Sequence, residues 1–230
     1  MITDIALLSG GLATRLYPVT RDIPKAMIDI NGRPFIHHQL ELLKRNGLEK
    51  VVLCVGYLGD MIRDYAGDGK SFGLDIRYSY DGDRLLGTGG AIKKALKELS
   101  GEFFVMYGDS YLPVDFRAVS ESFSKDGKKA LMTVIRNNNE WDKSNVIFDK
   151  GVIKEYNKKI SLPEMEYIDY GLGIIRKSCF DGLKENEACD LADIYRGLVS
   201  ENELAGFEVN ERFYEIGSFK GIEETKEFLK

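Results

Sequence analysis

The chain has 230 residues, 43% of them hydrophobic, and a formal net charge of -5 at pH 7. That length suits one α/β domain with a substantial buried core better than two domains, and the acidic balance excludes nucleic acid or an anionic membrane as the main partner, since both require a basic excess. Three scattered cysteines, Cys54, Cys179 and Cys189, without a CxxC pair, support neither a disulfide framework nor a zinc site. No stretch reaches the roughly 18 apolar residues of a membrane span, and the opening MITDIALLSGG lacks a basic leader region, so a soluble, cytoplasmic protein is expected.

In chain order, DIALLS (4–9) is short, unbroken and rich in β-formers, as expected of a strand covered on both faces. RPFIHHQLELLKRNG (33–47) places Pro34 at a first helical turn, Ile36, Leu40 and Leu43 on one stripe, and Gly47 as a stop. VVLCVGY (51–57) repeats the buried-strand pattern. GTGGAIKKALKELSG (87–101) opens on glycines and carries Ile92, Ala95, Leu96 and Leu99 at helical spacing, and EFFVMYG (102–108) is a third buried strand. This alternation predicts right-handed crossovers and a doubly wound α/β sheet. Beyond it, KALMTVIRN (129–137), NVIFDKGVIKEYN (145–157) and YIDYGLGIIRK (167–177) read as strands, with DKG as a hairpin turn, and predict an antiparallel or mixed extension. Helices are expected near 178–184 and 190–201, strands near 204–209 and 212–216, and a last helix running to Lys230. No linker, repeat or charged tail marks a boundary, so one domain with an inserted lobe is expected.

The segment GGLATRLYPVTRDIPKAM (10–27) lies where ligands bind in doubly wound sheets, at the carboxyl end of a strand. Adjacent Gly10 and Gly11 allow close backbone approach and outward N–H groups, a geometry suited to phosphate oxygens, although a Gly-Gly pair also serves as an ordinary turn. The pattern is neither GxGxxG nor GxxxxGK[ST]. Arg15 and Lys25 add two cations on a loop stiffened by Pro18 and Pro24; solvated surface charges are the alternative. His37 and His38 are adjacent in a helix, about 100° apart, and cannot chelate one ion from the same face, which leaves capping or packing roles.

The stretch LLSGGLATRLYPVTRDIPKAMIDINGRP resembles the signature of the nucleotide-sugar pyrophosphorylases, the sugar-1-phosphate nucleotidyltransferases, and the similarity spans nearly the whole chain. Their pattern runs G-G-x-G-T-R-L-x-P-x-T and then P-K-x-M, and here Ala13 replaces the third glycine. The resemblance implies a Rossmann-like, doubly wound, mixed but mainly parallel sheet flanked by helices, with a small antiparallel substrate lobe. Residues 1–230 would form one nucleotidyltransferase domain, with a nucleotide-binding part at about 1–110 and a substrate-binding part at about 111–217.

It further implies that Leu8, Gly10, Gly11 and Thr14 line the nucleotide, that Arg15 grips the triphosphate and that Lys25 holds phosphates at the reacting centre. LLGTGGAI (85–92) resembles the second nucleotide loop, with Gly87 and Thr88 approaching base and ribose, though a glycine-rich helix start reads the same way. In MYGDS (106–110), Asp109 resembles the strand-end magnesium ligand. RFYEIGSFKGIEE (212–224) resembles the late Asp-x-Gly-Thr-Pro segment, with Glu215 standing for the second metal ligand; a carboxylate serving a helix N-terminus is the other reading. YNKKI (156–160) resembles the Glu-Lys segment, with Lys158 where glutamate is usual and Lys159 as the phosphate lysine. IDYGLGI (168–174) resembles the strand presenting backbone and Tyr170 or Gly171 to the sugar, and Asn145 would meet sugar hydroxyls or phosphate, or cap a turn.

The implied reaction joins a sugar 1-phosphate to the α-phosphorus of a nucleoside triphosphate and releases pyrophosphate. The second pKa of a phosphate monoester is about 6, so the attacking oxygen is mostly deprotonated at neutral pH and no general base is required. Partners are therefore a nucleoside triphosphate and a phosphorylated sugar, with Mg2+ as the ion; homo-oligomer formation is compatible with the sequence. Guanylyl transfer to a manno- or heptose 1-phosphate, in cell-surface polysaccharide synthesis, is the expected activity. Cytidylyl or uridylyl transfer to another phosphorylated acceptor, a nucleotide-dependent glycosyltransferase and a non-catalytic nucleotide-sugar sensor are the alternatives.

Overall fold

The computed structural model describes residues 1–11 and 13–230. In chain order the strands are β1 (Asp4–Ser9), β2 (Asp29–Ile30), β3 (Arg33–Pro34), β4 (Lys50–Val55), β5 (Asp75–Tyr80), β6 (Glu102–Tyr107), β7 (Ser110–Tyr111), β8 (Ala130–Arg136), β9 (Val146–Asp149), β10 (Val152–Tyr156), β11 (Tyr167–Arg176), β12 (Leu204–Val209) and β13 (Tyr214–Glu215). The helices are α1 (Phe35–Arg45), α2 (Gly59–Ala66), α3 (Gly87–Ala95), α4 (Phe116–Asp126), α5 (Leu191–Ser200) and α6 (Phe219–Phe228). The helix expected near 178–184 is only a 3-10 turn, Lys177–Phe180, and the strand expected at 212–216 shortens to β13.

Among the described residues one nine-stranded sheet runs in the order β5-β4-β1-β6-β11-β8-β12-β10-β9. The pairs β5/β4, β4/β1, β1/β6 and β8/β12 are parallel, whereas β11 is antiparallel to both β6 and β8. The expected mixed α/β architecture is present, with the antiparallel portion in the second half. Period-2 alternation sends Ile5 and Leu7 to one face and Ala6 to the other, and both faces are covered. Phe35, Leu40, Ile62, Phe116 and Ile222 pack on the first face. Ile92 and Ala95 of α3, with Leu191, Tyr195 and Leu198 of α5, pack on the second.

Helix ends follow local chemistry. Asp115 accepts from Arg117 N at 2.9 Å at the start of α4, and Gly127 closes that helix at φ 77. Asp190 caps α5 through Ala192 N at 2.9 Å, and Ser218 caps α6 through Gly221 N at 2.9 Å. His38 Nε2 meets Ile30 O at 2.9 Å and His37 Nδ1 meets Tyr65 Oη at 2.9 Å, the packing roles expected of the pair. No helix among the described residues is long and apolar enough to cross a membrane.

Candidate active site

Strands β4 and β5 lie to one side of β1 and β6 to the other, so the order reverses between the carboxyl ends of β1 and β6. That crevice is where a doubly wound sheet holds its ligand. Gly108, just past β6, donates N–H to Leu8 O at 2.9 Å, and a Cβ there would lie 2.4 Å from Ser9 Oγ, so no other residue fits without displacing β1. The next residue, Asp109, is thereby set at the mouth of the crevice. Lys25 opens a 3-10 turn after Pro24 and its Nζ bonds Asp109 Oδ2 at 3.0 Å, with the two side chains 19% and 37% exposed. Thr14 and Arg15 occupy an earlier 3-10 turn, both exposed, and Arg15 makes no side-chain bond among the described residues. Ala13 starts that turn at φ 51, ψ 36, the left-handed conformation in which the family pattern places glycine. Its carbonyl accepts from Thr20 Oγ1 at 2.7 Å, which helps hold the strained residue in place.

Two cavities meet at Asp109. The first, about 220 Å³, is lined by Leu8, Gly10, Gly11, Asp81, Gly87 and Thr88 among others, bringing together all the expected nucleotide residues except Thr14, which lies in an adjoining hollow with Arg15 and Lys25. A Cβ at Gly11 would meet no protein atom within 4 Å, so this glycine leaves open space beside the cavity. The second glycine loop is held differently. A Cβ at Gly87 would lie 2.6 Å from Cys189 O, and one at Gly90 2.4 Å from Glu187 O. Gly89 N and Gly90 N both donate to Cys189 O, at 2.9 and 3.2 Å. These glycines admit the 187–190 segment. Thr88 Oγ1 donates to Asp190 Oδ1 at 2.9 Å and accepts from Leu191 N at 2.8 Å, tying α3 to the start of α5. The helix-start reading thus accounts for much of this loop, and Asp190 is a structural partner that sequence reasoning missed.

Asp81 also escaped the sequence reading. It is 8% exposed, it lines the first cavity, and its Oδ2 accepts from Leu86 N at 3.3 Å. Burial holds its carboxyl above the usual range, opposed by that N–H and by Lys94. Burial, with Asp81 nearby, pushes the Cys54 thiol up to about 12, so Cys54 stays protonated and is not a nucleophile.

The second cavity, about 700 Å³, joins Arg15, Asp109, Asn145, Lys159, Tyr170, Gly171 and Glu215. Asn145 Oδ1 accepts from Asp169 N of β11 at 3.0 Å, so in place of capping a turn it ties its segment to that strand. Tyr170 is 1% exposed with its ring edge-on to Phe213, centroids 6.0 Å apart, and its hydroxyl is buried without a hydrogen-bond partner among the described residues, so it presents neither ring face nor hydroxyl to the cavity. Gly171, at φ 102, sits in the register shift of β11 between Asp169 and Gly173. Lys159 is exposed, with its N–H bonded to Asn157 Oδ1 at 2.9 Å. Lys158 donates to Tyr107 Oη at 2.9 Å and stands 4.8 Å from the centre of that ring, which lines both cavities. Asp169 lies beneath, accepting from Tyr156 Oη at 3.1 Å and Gly171 N at 3.0 Å.

Glu215 lies on β13, paired with Ser110 of β7, and Ile216 N bonds Asp109 O at 2.9 Å, so the two carboxylates share a neighbourhood. Beside Gly217, an ideal Cβ position lies 2.7 Å from Glu215 Oε2 and 3.7 Å from Asp109 Oδ2. Glu215 accepts from Gly217 N and, at 2.6 Å, from Ser218 Oγ at the start of α6, so it does serve the helix N-terminus. Among the described residues no three His, Cys, Asp or Glu side chains gather to hold an ion. Two neighbouring carboxylates on the wall of the second cavity fit a hard divalent cation that takes its remaining oxygens from substrate and water.

A carboxylate and cations at the switch point of a doubly wound sheet define a phosphate-handling α/β protein. The chain belongs to the nucleotidyl transferase family, whose model matches residues 5–230. It is an enzyme of that kind, a sugar-phosphate nucleotidyltransferase, and the glycosyltransferase and sensor alternatives give way. It is 31% identical over 177 residues to D-glycero-alpha-D-manno-heptose 1-phosphate guanylyltransferase of Campylobacter jejuni, covering 76% of each chain. It is 30% identical over 226 residues to N-acetylmuramate alpha-1-phosphate uridylyltransferase of Neisseria meningitidis, covering 96% of this chain and 95% of that one. Its structure resembles HddC from Yersinia pseudotuberculosis complexed with GMP-PN, with TM-score 0.81, 25% identity and full coverage of both chains.

Proposed function

We propose that the chain transfers guanylate from GTP to a manno- or heptose 1-phosphate, giving a nucleotide sugar for cell-surface polysaccharide and releasing pyrophosphate. The observation that carries the transfer chemistry is the Lys25–Asp109 pair, 3.0 Å apart, at the junction of two cavities. Residues 1–110 supply most of the nucleotide side, and 111–217 most of the acceptor side. Gly10 and Gly11 admit the phosphates, Arg15 grips the outer ones, and Lys25 leaves Asp109 to hold the transferred phosphoryl. Lys159 neutralises the acceptor phosphate. Asn145, Gly171 and the Tyr170 backbone set the sugar, while Leu8 and Gly87 bound the nucleotide. Asp109 and Glu215 would hold Mg2+, which supplies charge neutralisation between the two phosphates. The protein aligns two repelling anions and cancels their charge, and no side-chain base is needed.

The choice of guanine is supported by the Campylobacter jejuni relative, named for guanylyl transfer, and by the nucleotide bound in the Yersinia structure. Uridylyl transfer is the second reading, favoured by the longer match to the Neisseria meningitidis enzyme. The three free cysteines suit a cytoplasmic site of action. Incubating the protein with each nucleoside triphosphate, Mg2+ and a panel of sugar 1-phosphates, and measuring pyrophosphate, tests the reading. GTP with a manno-configured acceptor is expected to give the fastest release. Release with no combination would refute it.

A further inference from the structure

Gln39 takes no part in the chemistry above, yet it is 0% exposed on the face of α1 that otherwise buries Phe35, Ile36, Leu40, Leu42 and Leu43. An amide sunk among apolar side chains is costly unless its groups are bonded. Its Nε2 donates to Ser110 O at 2.8 Å and to Tyr107 O at 3.4 Å, while its Oε1 is buried with no partner among the described residues. The two facing carbonyl oxygens fix which end of the amide is the NH2, since an oxygen there would have nothing to accept. The orphaned Oε1 marks what the residue is kept for. A methionine or leucine would fill a similar volume without that unpaired carbonyl, so the NH2 end is the part in use.

The two carbonyls flank Gly108 and Asp109, the turn between β6 and β7, so one side chain spans the turn that bears the strand-end carboxylate. Other backbone groups of that turn are held from different directions: Gly108 N bonds Leu8 O of β1, and Asp109 O accepts from Ile216 N, each at 2.9 Å. Ser110 pairs with Glu215, so fixing Ser110 O also fixes the strand of the second carboxylate. The helix that carries Gln39 is itself fastened to the segment following Lys25, through Phe35 N to Ile28 O and His38 Nε2 to Ile30 O, each at 2.9 Å. Lys25 and Asp109, 3.0 Å apart, thus share α1 as a common base. We propose that Gln39 is a positioning residue for the transfer: its bridge across Tyr107 O and Ser110 O fixes the turn and so sets Asp109 for the divalent ion. This rests on the nucleotidyl-transfer reading, in which Asp109 and Glu215 hold Mg2+, and names a residue that acts through them.

Nucleotide affinity measured by calorimetry on the full chain, once with Mg2+ and once with EDTA, tests this. The probe is GTP or UTP, whichever the wild-type protein binds more tightly, and Mg2+ should tighten wild-type binding. Gln39→Met keeps the bulk of the side chain and removes both donors. The Mg2+ concentration giving half-maximal pyrophosphate release should rise about 10- to 100-fold, the usual span for losing a partner that orients a metal ligand. The Mg2+ advantage in binding should shrink with it, while affinity in EDTA stays within a few-fold of the wild type. In an Asp109→Asn background the same change should remove nothing further, since the residue acts through that carboxylate. Equal losses with Mg2+ and with EDTA, additive losses in the double variant, or an unchanged Mg2+ advantage would each overturn the assignment. Gln39→Leu repeats the test with a branched side chain, and failure of both variants to fold would also overturn it, by showing that the amide serves the core. Absence of pyrophosphate release from the wild type with every nucleotide and acceptor, alongside an intact Mg2+ advantage, would instead sink the transfer reading, so the two failures are distinguishable.

Discussion

Replacing Lys25 with methionine keeps the length of the side chain and removes its charge, isolating what the ammonium does. At 3.0 Å from Asp109, its gross Coulomb attraction is about 5 kcal/mol at an effective dielectric near 20. Both side chains reach solvent, at 19% and 37% exposure, so the net contribution to folding is about 1 kcal/mol or less. For a chain of this size that lowers the melting temperature by about 2–4 °C. The effect on turnover should be far larger. A preorganised charge aimed at the transferred phosphoryl contributes about 3–4 kcal/mol in the transition state, or 10²- to 10³-fold in kcat. Steady-state pyrophosphate release beside thermal unfolding by circular dichroism separates the two quantities. Turnover within a few-fold of the parent would refute the catalytic role. A melting point more than about 10 °C lower would show instead that the pair holds the fold, against the bound for exposed ion pairs.

Ala13→Gly should stabilise the protein by about 0.5–1 kcal/mol, because the left-handed φ of 51 strains alanine while glycine returns part of the gain through its freer unfolded chain. A lower melting temperature would contradict this. Gly90→Ala sets a methyl 2.4 Å from Glu187 O, and should destabilise by about 1–3 kcal/mol while weakening nucleotide affinity in calorimetry. Unchanged melting and affinity would show that the 187–190 segment moves aside at no cost.

The strands of the first half are legible because β1, β4 and β6 are unbroken apolar runs buried on both faces, a pattern few other structures produce. By contrast β5 reads DIRYSY, polar at alternate positions, as suits the edge of the sheet, and goes unmarked in the sequence reading. So does α2, whose start follows Leu58 at φ 56 without a capping residue. The helix α4 also goes unmarked, although Asp115 and Gly127 bracket it as sequence rules anticipate. Within the site, the residues near the glycine bend and Asp109 come from contiguous motifs, and those motifs are what a sequence displays. Asp81, Asp169 and Asp190 escape it because what distinguishes them is a contact. Thr88 meets Asp190 across 102 positions, and Asp169 becomes interesting only when Tyr156 lies against it. Of the two readings of Glu215, the helix-end one is visible as its bond from Ser218, and it also lies near Asp109, because β13 lies beside β7 and α6 starts four residues on.

The grip of Cys189 on the glycines of α3 bears on how the protein is made. A nascent chain that has emerged through β6 already contains β1, β4, β5 and β6, yet the glycine loop beside the first cavity still lacks the carbonyl of Cys189 that seats it. It arrives some eighty residues later in translation. Ribosome-bound intermediates ending before residue 187 therefore carry the glycine loop unseated, and the first cavity is completed late, together with the second.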